Sequence, residues 1–249
     1  MGLFDGVFTR GKKEGCVTVL IPAAGSGARM GGAYKPLEML CGREVLTYSL
    51  ETFQKCSMVK KVVIAARSDK TDEIKSLCKS YGFDKVTAVV EGGTDRQGSV
   101  EKAFKAAFAV PEDVTRLVAI HDAARPLLTS EEAKRVFETA YKYGGAVCAS
   151  KVRDTVKRTD SADVVCESVE RDGLWLMQTP QVFDTDIYHT ALALAKQNGV
   201  SATDDCTLVA DAGFKVVISQ TGVTNLKITY PEDMLLAEAI IKSRNGEML

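Results

Sequence analysis

The run Val17-Thr-Val-Leu-Ile21, followed at once by Pro22-Ala-Ala-Gly25-Ser-Gly27, decides the fold. An unbroken apolar, β-branched run suits a strand buried on both faces, where an alternating run would suit a half-buried one. Glycines directly behind it mark a turn in which backbone N–H groups can converge, because no Cβ blocks the approach. Three further runs share this character: Val62-Val-Ile-Ala-Ala66, Val86 to Val90 and Leu117-Val-Ala-Ile120. Helix-period segments lie between them, Lys70 to Tyr81 and Gln97 to Ala109. Strand and helix in alternation predict an α/β fold, a mostly parallel sheet with helices on both faces. Its crossovers should be right-handed, and its ligand should sit beyond the carboxyl ends of the strands.

After Ala149 the pattern changes. Val152 to Arg158 and Val164 to Val169 are short, alternating and charged, with Thr159-Asp-Ser-Ala162 between them, which predicts a protruding β-hairpin arm over about 151–172. The chain then returns through Trp175 to Phe183 into helices at Asp184 to Gln197 and Asp204 to Ala212. A strand at Lys215 to Ser219, a strand-like Leu226-Lys-Ile-Thr229 and a helix begun by Pro231 complete it. With no repeat, low-complexity tract or linker, residues 17–243 read as one domain. Residues 1–16 form a leader to which the sequence assigns no role.

Composition narrows the classes of function. The 249 residues carry 32 basic and 33 acidic side chains, a net charge of −1, without the basic excess of a nucleic-acid-binding protein. An anionic partner would have to be met by a local cluster of cations. The apolar runs fall short of the roughly 20 residues of a membrane span, and the leader mixes Phe4, Val7 and Phe8 with charged residues, unlike a signal peptide. Seven scattered cysteines without a Cys-x-x-Cys pair read as free thiols in a reducing cytoplasm.

Four places could carry chemistry. Behind the glycines of the first turn stand Arg29 and Lys35, which suits a phosphate cradle with cations aimed at a reacting phosphorus; a plain strand-to-helix turn with surface cations has the same look. The stretch lacks Gly-Lys-Ser/Thr, and Met30 stands where a dinucleotide fingerprint needs its third glycine, which disfavours a nicotinamide oxidoreductase. His121-Asp122-Ala-Ala-Arg125-Pro126 ends an apolar strand. There Asp122 could hold Mg²⁺ against phosphate oxygens, or cap the next turn and pair with Arg125. Gly92-Gly93-Thr-Asp-Arg96-Gln-Gly-Ser99 opens a helix and suits the reading of a base edge. Lys227 sits on the strand-like segment, where a surface lysine is the ordinary alternative.

Together these stretches, with Val152-Arg-Asp-Thr155-x-Lys-Arg158, Arg171-x-Gly-Leu-Trp175, Thr179-Pro-Gln181 and Asn225-x-Lys227-x-Thr-x-Pro-Glu-Asp233, occur in the order that marks one enzyme family. From about Val17 to Ile241 the chain resembles the 2-C-methyl-D-erythritol 4-phosphate cytidylyltransferases of the non-mevalonate isoprenoid pathway. The resemblance implies a Rossmann-like nucleotidyltransferase fold, CTP and methylerythritol phosphate as substrates, Mg²⁺ as cofactor, and a cytoplasmic homodimer with sites shared across its interface. It implies Arg29, Lys35 and Lys227 as catalytic cations, with Ala23, Ala24 and Gly25 as the CTP loop. Gly93, Arg96 and Ser99 would lie at the nucleotide and Asp122 at the metal. Thr155, Arg171, Lys227 and, more loosely, Thr203 would hold the acceptor.

One departure is Pro36, where many members have Gln; a proline restricts the preceding Lys35 to extended conformations. A ribitol 5-phosphate cytidylyltransferase is the nearest alternative, and that relative tends to carry Val where Ala124 stands. A non-catalytic CTP-binding module is the alternative of another class, against which the joint presence of Arg29, Lys35, Asp122 and Lys227 counts. No general base is evident: His121 reads as structural, and His189 has nothing catalytic beside it. The acceptor's own phosphate would then be the nucleophile.

Overall fold

The computed structural model describes residues 13–27, 31–111, 114–200 and 202–247. Its first half runs β1 (Val17–Ala23), the short strands β2 (Met39–Leu40) and β3 (Arg43–Glu44), α1 (Val45–Lys55), β4 (Val59–Ala66), α2 (Thr71–Ser80), β5 (Val86–Glu91), α3 (Arg96–Ala107) and β6 (Leu117–Ile120). The second half runs α4 (Ser130–Tyr143), β7 (Gly145–Lys151), β8 (Val156–Thr159), β9 (Val165–Val169), β10 (Trp175–Asp184), α5 (Thr185–Asn198), α6 (Asp205–Asp211), β11 (Val217–Gln220) and α7 (Pro231–Arg244).

Seven strands form one sheet in the order β11-β7-β10-β6-β1-β4-β5. Only β10 runs antiparallel to its neighbours β6 and β7; the ladders β1–β4, β1–β6, β4–β5 and β7–β11 are parallel. As the unbroken run requires, β1 is buried on both faces. Val17, Val19 and Ile21 pack with α1, α2 and α4 through Leu46, Phe53, Ile74 and Phe137. Leu20 packs on the opposite face with α3, α5 and α6 through Val100, Phe104, Tyr188 and Val209. Each fully buried aliphatic or aromatic side chain is worth about 1.5–3 kcal/mol, so these two layers dominate the fold's stability. From β1 the chain steps outward to β4 and β5, then crosses back to place β6 on β1's other side. The carboxyl ends of β1 and β6 therefore flank the point where the strand order reverses, the position at which open α/β sheets bind ligands.

The arm is a separate two-stranded ribbon of β8 and β9. Its ladder runs from Val156 opposite Val169 to Thr159 opposite Val165, and Val152 before it instead extends the β7–β10 junction by donating its N–H to Leu174 O at 3.3 Å. The strand expected at Leu226 to Thr229 is absent. Its alternation is produced by packing against α7, with Ile228 fully buried beside Ala237 and Ile241. Ile228 N–H does donate to Ala124 O at 2.8 Å, but no ladder follows. Lys35 also differs from the extended reading: it opens a single 3-10 turn, Lys35–Leu37, closed by Leu37 N–H on Tyr34 O at 3.0 Å. The leader's residues 1–12 lie outside the described residues. No helix among the described residues is long and apolar enough to cross a membrane.

Candidate active site

Two glycine loops meet over the carboxyl edge of the sheet. In the first, Gly27 has φ +68°, and a Cβ there would stand 2.0 Å from Ala33 O, so only glycine fits the turn. In the second, a Cβ on Gly93 would lie 2.5 Å from the Gly98 carbonyl carbon. That loop is fastened by α3's own cap: Asp95 Oδ1 accepts from Gly98 N–H at 2.7 Å. Ser99 Oγ accepts from Gly93 N–H at 3.0 Å and donates to Asp95 O at 2.8 Å. The Ser99 hydroxyl is thus spent on holding the loop, and what it presents outward is the backbone around Gly93.

The loops enclose a cavity of about 540 Å³. Ala23, Ala24, Gly25, Lys35 and Pro36 line it from the first loop, Gly93, Arg96 and Ser99 from the second, and Asp122 and Lys227 from the floor and far side. Thr155, Arg171 and Thr203 do not line it. All three are exposed, Thr155 and Arg171 on or beside the arm and Thr203 ahead of α6. Arg29 lies outside the described residues.

Asp122 is the electrostatic centre. Lys227 Nζ lies 2.9 Å from Oδ2, Arg125 Nε 3.5 Å from the same oxygen, and Arg96 Nε 3.4 Å from Oδ1. Burial works against the charge of this carboxylate. Lys227, Arg96 and Arg125 outweigh it and hold the carboxyl far below its ordinary range. Asp122 is thus paired with Arg125, as one of the two sequence-based readings has it, and it also lines the cavity. Lys227 is aimed without a strand beneath it. Asn225, two residues earlier, is fully buried and donates to Gln178 Oε1 at 3.1 Å and Thr179 O at 3.0 Å, while Ile228 plugs the core behind it.

His121 fixes the backbone that carries Asp122. Its Nε2 lies 3.2 Å from Arg125 O, which can only accept, so Nε2 bears the proton and Nδ1 accepts from the Thr179 hydroxyl at 3.1 Å. Thr179 Oγ1 in turn accepts from Asp122 N–H at 3.0 Å. With its lone pair used, the ring is not a general base, and burial pushes its pKa down to about 4. The folded state thus disfavours protonated His121, whereas the unfolded chain takes up the proton near pH 6.5. Stability is full above pH 6.5 and is lost as pH falls toward 4, by about 3 kcal/mol in all. Denaturant titrations at pH 7.5 and 4.5 should show most of this loss in the wild type and little of it in His121→Gln. Parallel losses in both would contradict the assignment.

A Mg²⁺ ion commonly keeps several waters and binds through one or two carboxylates together with substrate phosphates. Among the described residues no three potential ligands cluster, and Asp122 is already ringed by cations. That donor set fits an ion that arrives with a triphosphate and does not fit an all-protein metal cage.

Sequence reading gave no part to Asp205 or Tyr188, and it named Asn225 and Thr179 only as members of motifs. Each meets the site across a long stretch of chain, and no local spacing announces it.

Fold and site together define an α/β protein with a glycine-walled, cation-lined cavity at the switch point of its sheet. More particularly, the chain belongs to the 2-C-methyl-D-erythritol 4-phosphate cytidylyltransferase family, whose model, IspD, matches residues 17–243. It is 40% identical over 228 residues to the 2-C-methyl-D-erythritol 4-phosphate cytidylyltransferase of Symbiobacterium thermophilum, covering 91% of this chain and 93% of the relative. It is 36% identical over 234 residues to that of Alkaliphilus metalliredigens, covering 93% and 95%. Among solved structures, 4-diphosphocytidyl-2C-methyl-D-erythritol synthase from Anaerococcus prevotii superposes with a TM-score of 0.79 at 29% identity, covering 93% of this chain and all of that one. The Thermus thermophilus cytidylyltransferase gives 0.72 at 30% identity, covering 90% and 98%.

Proposed function

We propose that the protein transfers CMP from CTP to 2-C-methyl-D-erythritol 4-phosphate and releases pyrophosphate. The observation that carries this reading is the convergence of the glycine loop, Lys35, Arg96, Asp122 and Lys227 on one cavity at the switch point. The backbone of Ala23 to Gly25 would cradle the triphosphate, and the Gly93 backbone, held by Ser99, would meet the base. Arg29, Lys35 and Lys227 would stabilise charge as it builds on the α-phosphate.

The acceptor phosphate has its second pKa near 6 and is largely dianionic at neutral pH, so it needs no base. One of its oxygens forms a bond to the α-phosphorus while the bond from that phosphorus to the bridging oxygen of the β-phosphate breaks, and pyrophosphate leaves with that electron pair. Bringing anions together is the main difficulty, and fixed cations that need no reorganisation answer it. Asp122 would hold Mg²⁺ with the triphosphate, and the ion would supply charge neutralisation that eases pyrophosphate departure. The test is a coupled assay of pyrophosphate release across four nucleotides with methylerythritol phosphate and ribitol 5-phosphate. Release confined to CTP with methylerythritol phosphate is expected; release with ribitol 5-phosphate, or with neither acceptor, would contradict the reading.

The acceptor residues Thr155 and Arg171 lie on an arm that exposes apolar surface, with Val164 59% and Val165 60% accessible. A two-stranded ribbon is marginal alone in water, which supports a two-fold dimer in which the arm completes the neighbour's site. A mixed dimer carrying Lys227→Ala in one subunit and Arg171→Ala in the other is then expected to keep about half the wild-type activity, because one site collects both defects. A nearly dead hybrid would show that Arg171 serves its own subunit.

A further inference from the structure

Arg96 is held between two carboxylates, and only one of them lines the cavity. Its Nε stands 3.4 Å from Asp122 Oδ1, whereas its Nη2 stands 2.7 Å from Asp205 Oδ2. Asp205 opens α6 and is 3% exposed. Among the described residues no other cation pairs with it. Its second oxygen, Oδ1, accepts from the Tyr188 hydroxyl at 2.6 Å. Tyr188 has no freedom to follow it elsewhere: the ring is fully buried and stacks on Phe183, with centroids 5.6 Å apart and planes at 8°. The α6 start is fastened independently, since Gln181 donates to Asp204 Oδ2 at 2.9 Å and accepts from Cys206 N–H at 2.7 Å. A buried ion pair is a poor source of net stability, because desolvation offsets most of its attraction. What it supplies is a close counter-charge that anchors the Nη2 end of the guanidinium, while Nε bonds Asp122 Oδ1.

We propose that Asp205, braced by Tyr188, is a positioning residue for nucleotide binding, holding Arg96 in the cavity with only its Nε engaged on Asp122. Without this tether the guanidinium has one remaining anionic partner. It would close on Asp122, further neutralising the carboxylate and turning its donors away from the phosphates. The shorter contact to Asp205 keeps the pair to Asp122 long, so Asp122 retains an oxygen edge for other cations. The inference rests on reading the cavity as a nucleotide site.

The test is calorimetric CTP binding without acceptor, so that no turnover occurs, on the full-length protein. Asp205→Asn keeps the shape and removes the charge. It is expected to raise the Kd for CTP about tenfold, the scale found when a group that orients a binding residue is lost. Tyr188→Phe keeps the ring in the core and should raise the Kd about threefold, which keeps the idea open to disproof if Asp205→Asn folds poorly. Arg96→Ala should weaken binding further, and adding Asp205→Asn to it should change nothing more. An unchanged Kd in Asp205→Asn and Tyr188→Phe, or losses that multiply in the double variant, would show that Asp205 serves α6 alone. A wild-type protein that binds no CTP would instead overturn the nucleotide reading itself, and the two failures are told apart by that arm.

Discussion

Asp122→Asn is expected to lower the thermal midpoint by roughly 6–12 °C and to cut CMP transfer by at least about a hundredfold. The carboxylate is 7% exposed and is the shared counter-charge of Lys227, Arg96 and Arg125. An amide of the same shape leaves three cations converging on a neutral group. Removing the common anion of a buried cluster costs about 3 kcal/mol or more. The same change removes the carboxylate proposed to hold Mg²⁺, so the Mg²⁺ concentration needed for residual activity should rise. Thermal melts and a Mg²⁺ titration of transfer rate check both halves. A variant that melts normally and keeps the wild-type titration would reduce Asp122 to a bystander.

Lys227→Ala should separate the two effects. Its side chain is 39% exposed, so its pair with Asp122 is screened, and Asp122 keeps Arg96 and Arg125 when the lysine is gone. Stability is therefore expected to change by about 1 kcal/mol or less. Activity should fall about 10²–10³-fold, the usual loss for one fixed donor at developing charge. Steady-state kinetics beside a denaturation curve read both numbers. A large loss of stability with activity in proportion would make Lys227 a structural cation, the ordinary fate of a lysine in such a segment.

The parallel half of the sheet was legible because burial on both faces leaves one mark, an apolar run without alternation. Val17 to Ile21 and Leu117 to Ile120 carry it plainly, and the glycines behind the first run pointed to the cavity that the structure shows. Helix α4 had a readable signal, the Thr129 and Glu132 capping box with Gly144 beyond its end, although periodicity alone did not bring it forward. Leu226 to Thr229 misled for a physical reason. Alternate burial against α7 imitates a strand when no ladder is present. The bracing beneath the site was not legible at all. The pair of Arg96 with Asp205 and the bond of Thr179 to Asp122 join distant parts of the chain, and only the strand order brings them together.

In the proposed reaction this cavity moves the α-phosphate of CTP, with its nucleoside, onto a phosphate oxygen of the acceptor. The most direct measurement follows CTP labelled at the α-phosphorus, and separately at the γ-phosphorus, through one turnover with methylerythritol phosphate and Mg²⁺. Alpha-label is expected in a cytidine–polyol diphosphate and γ-label only in pyrophosphate. Gamma-label on the polyol, or α-label left entirely in CMP, would contradict it.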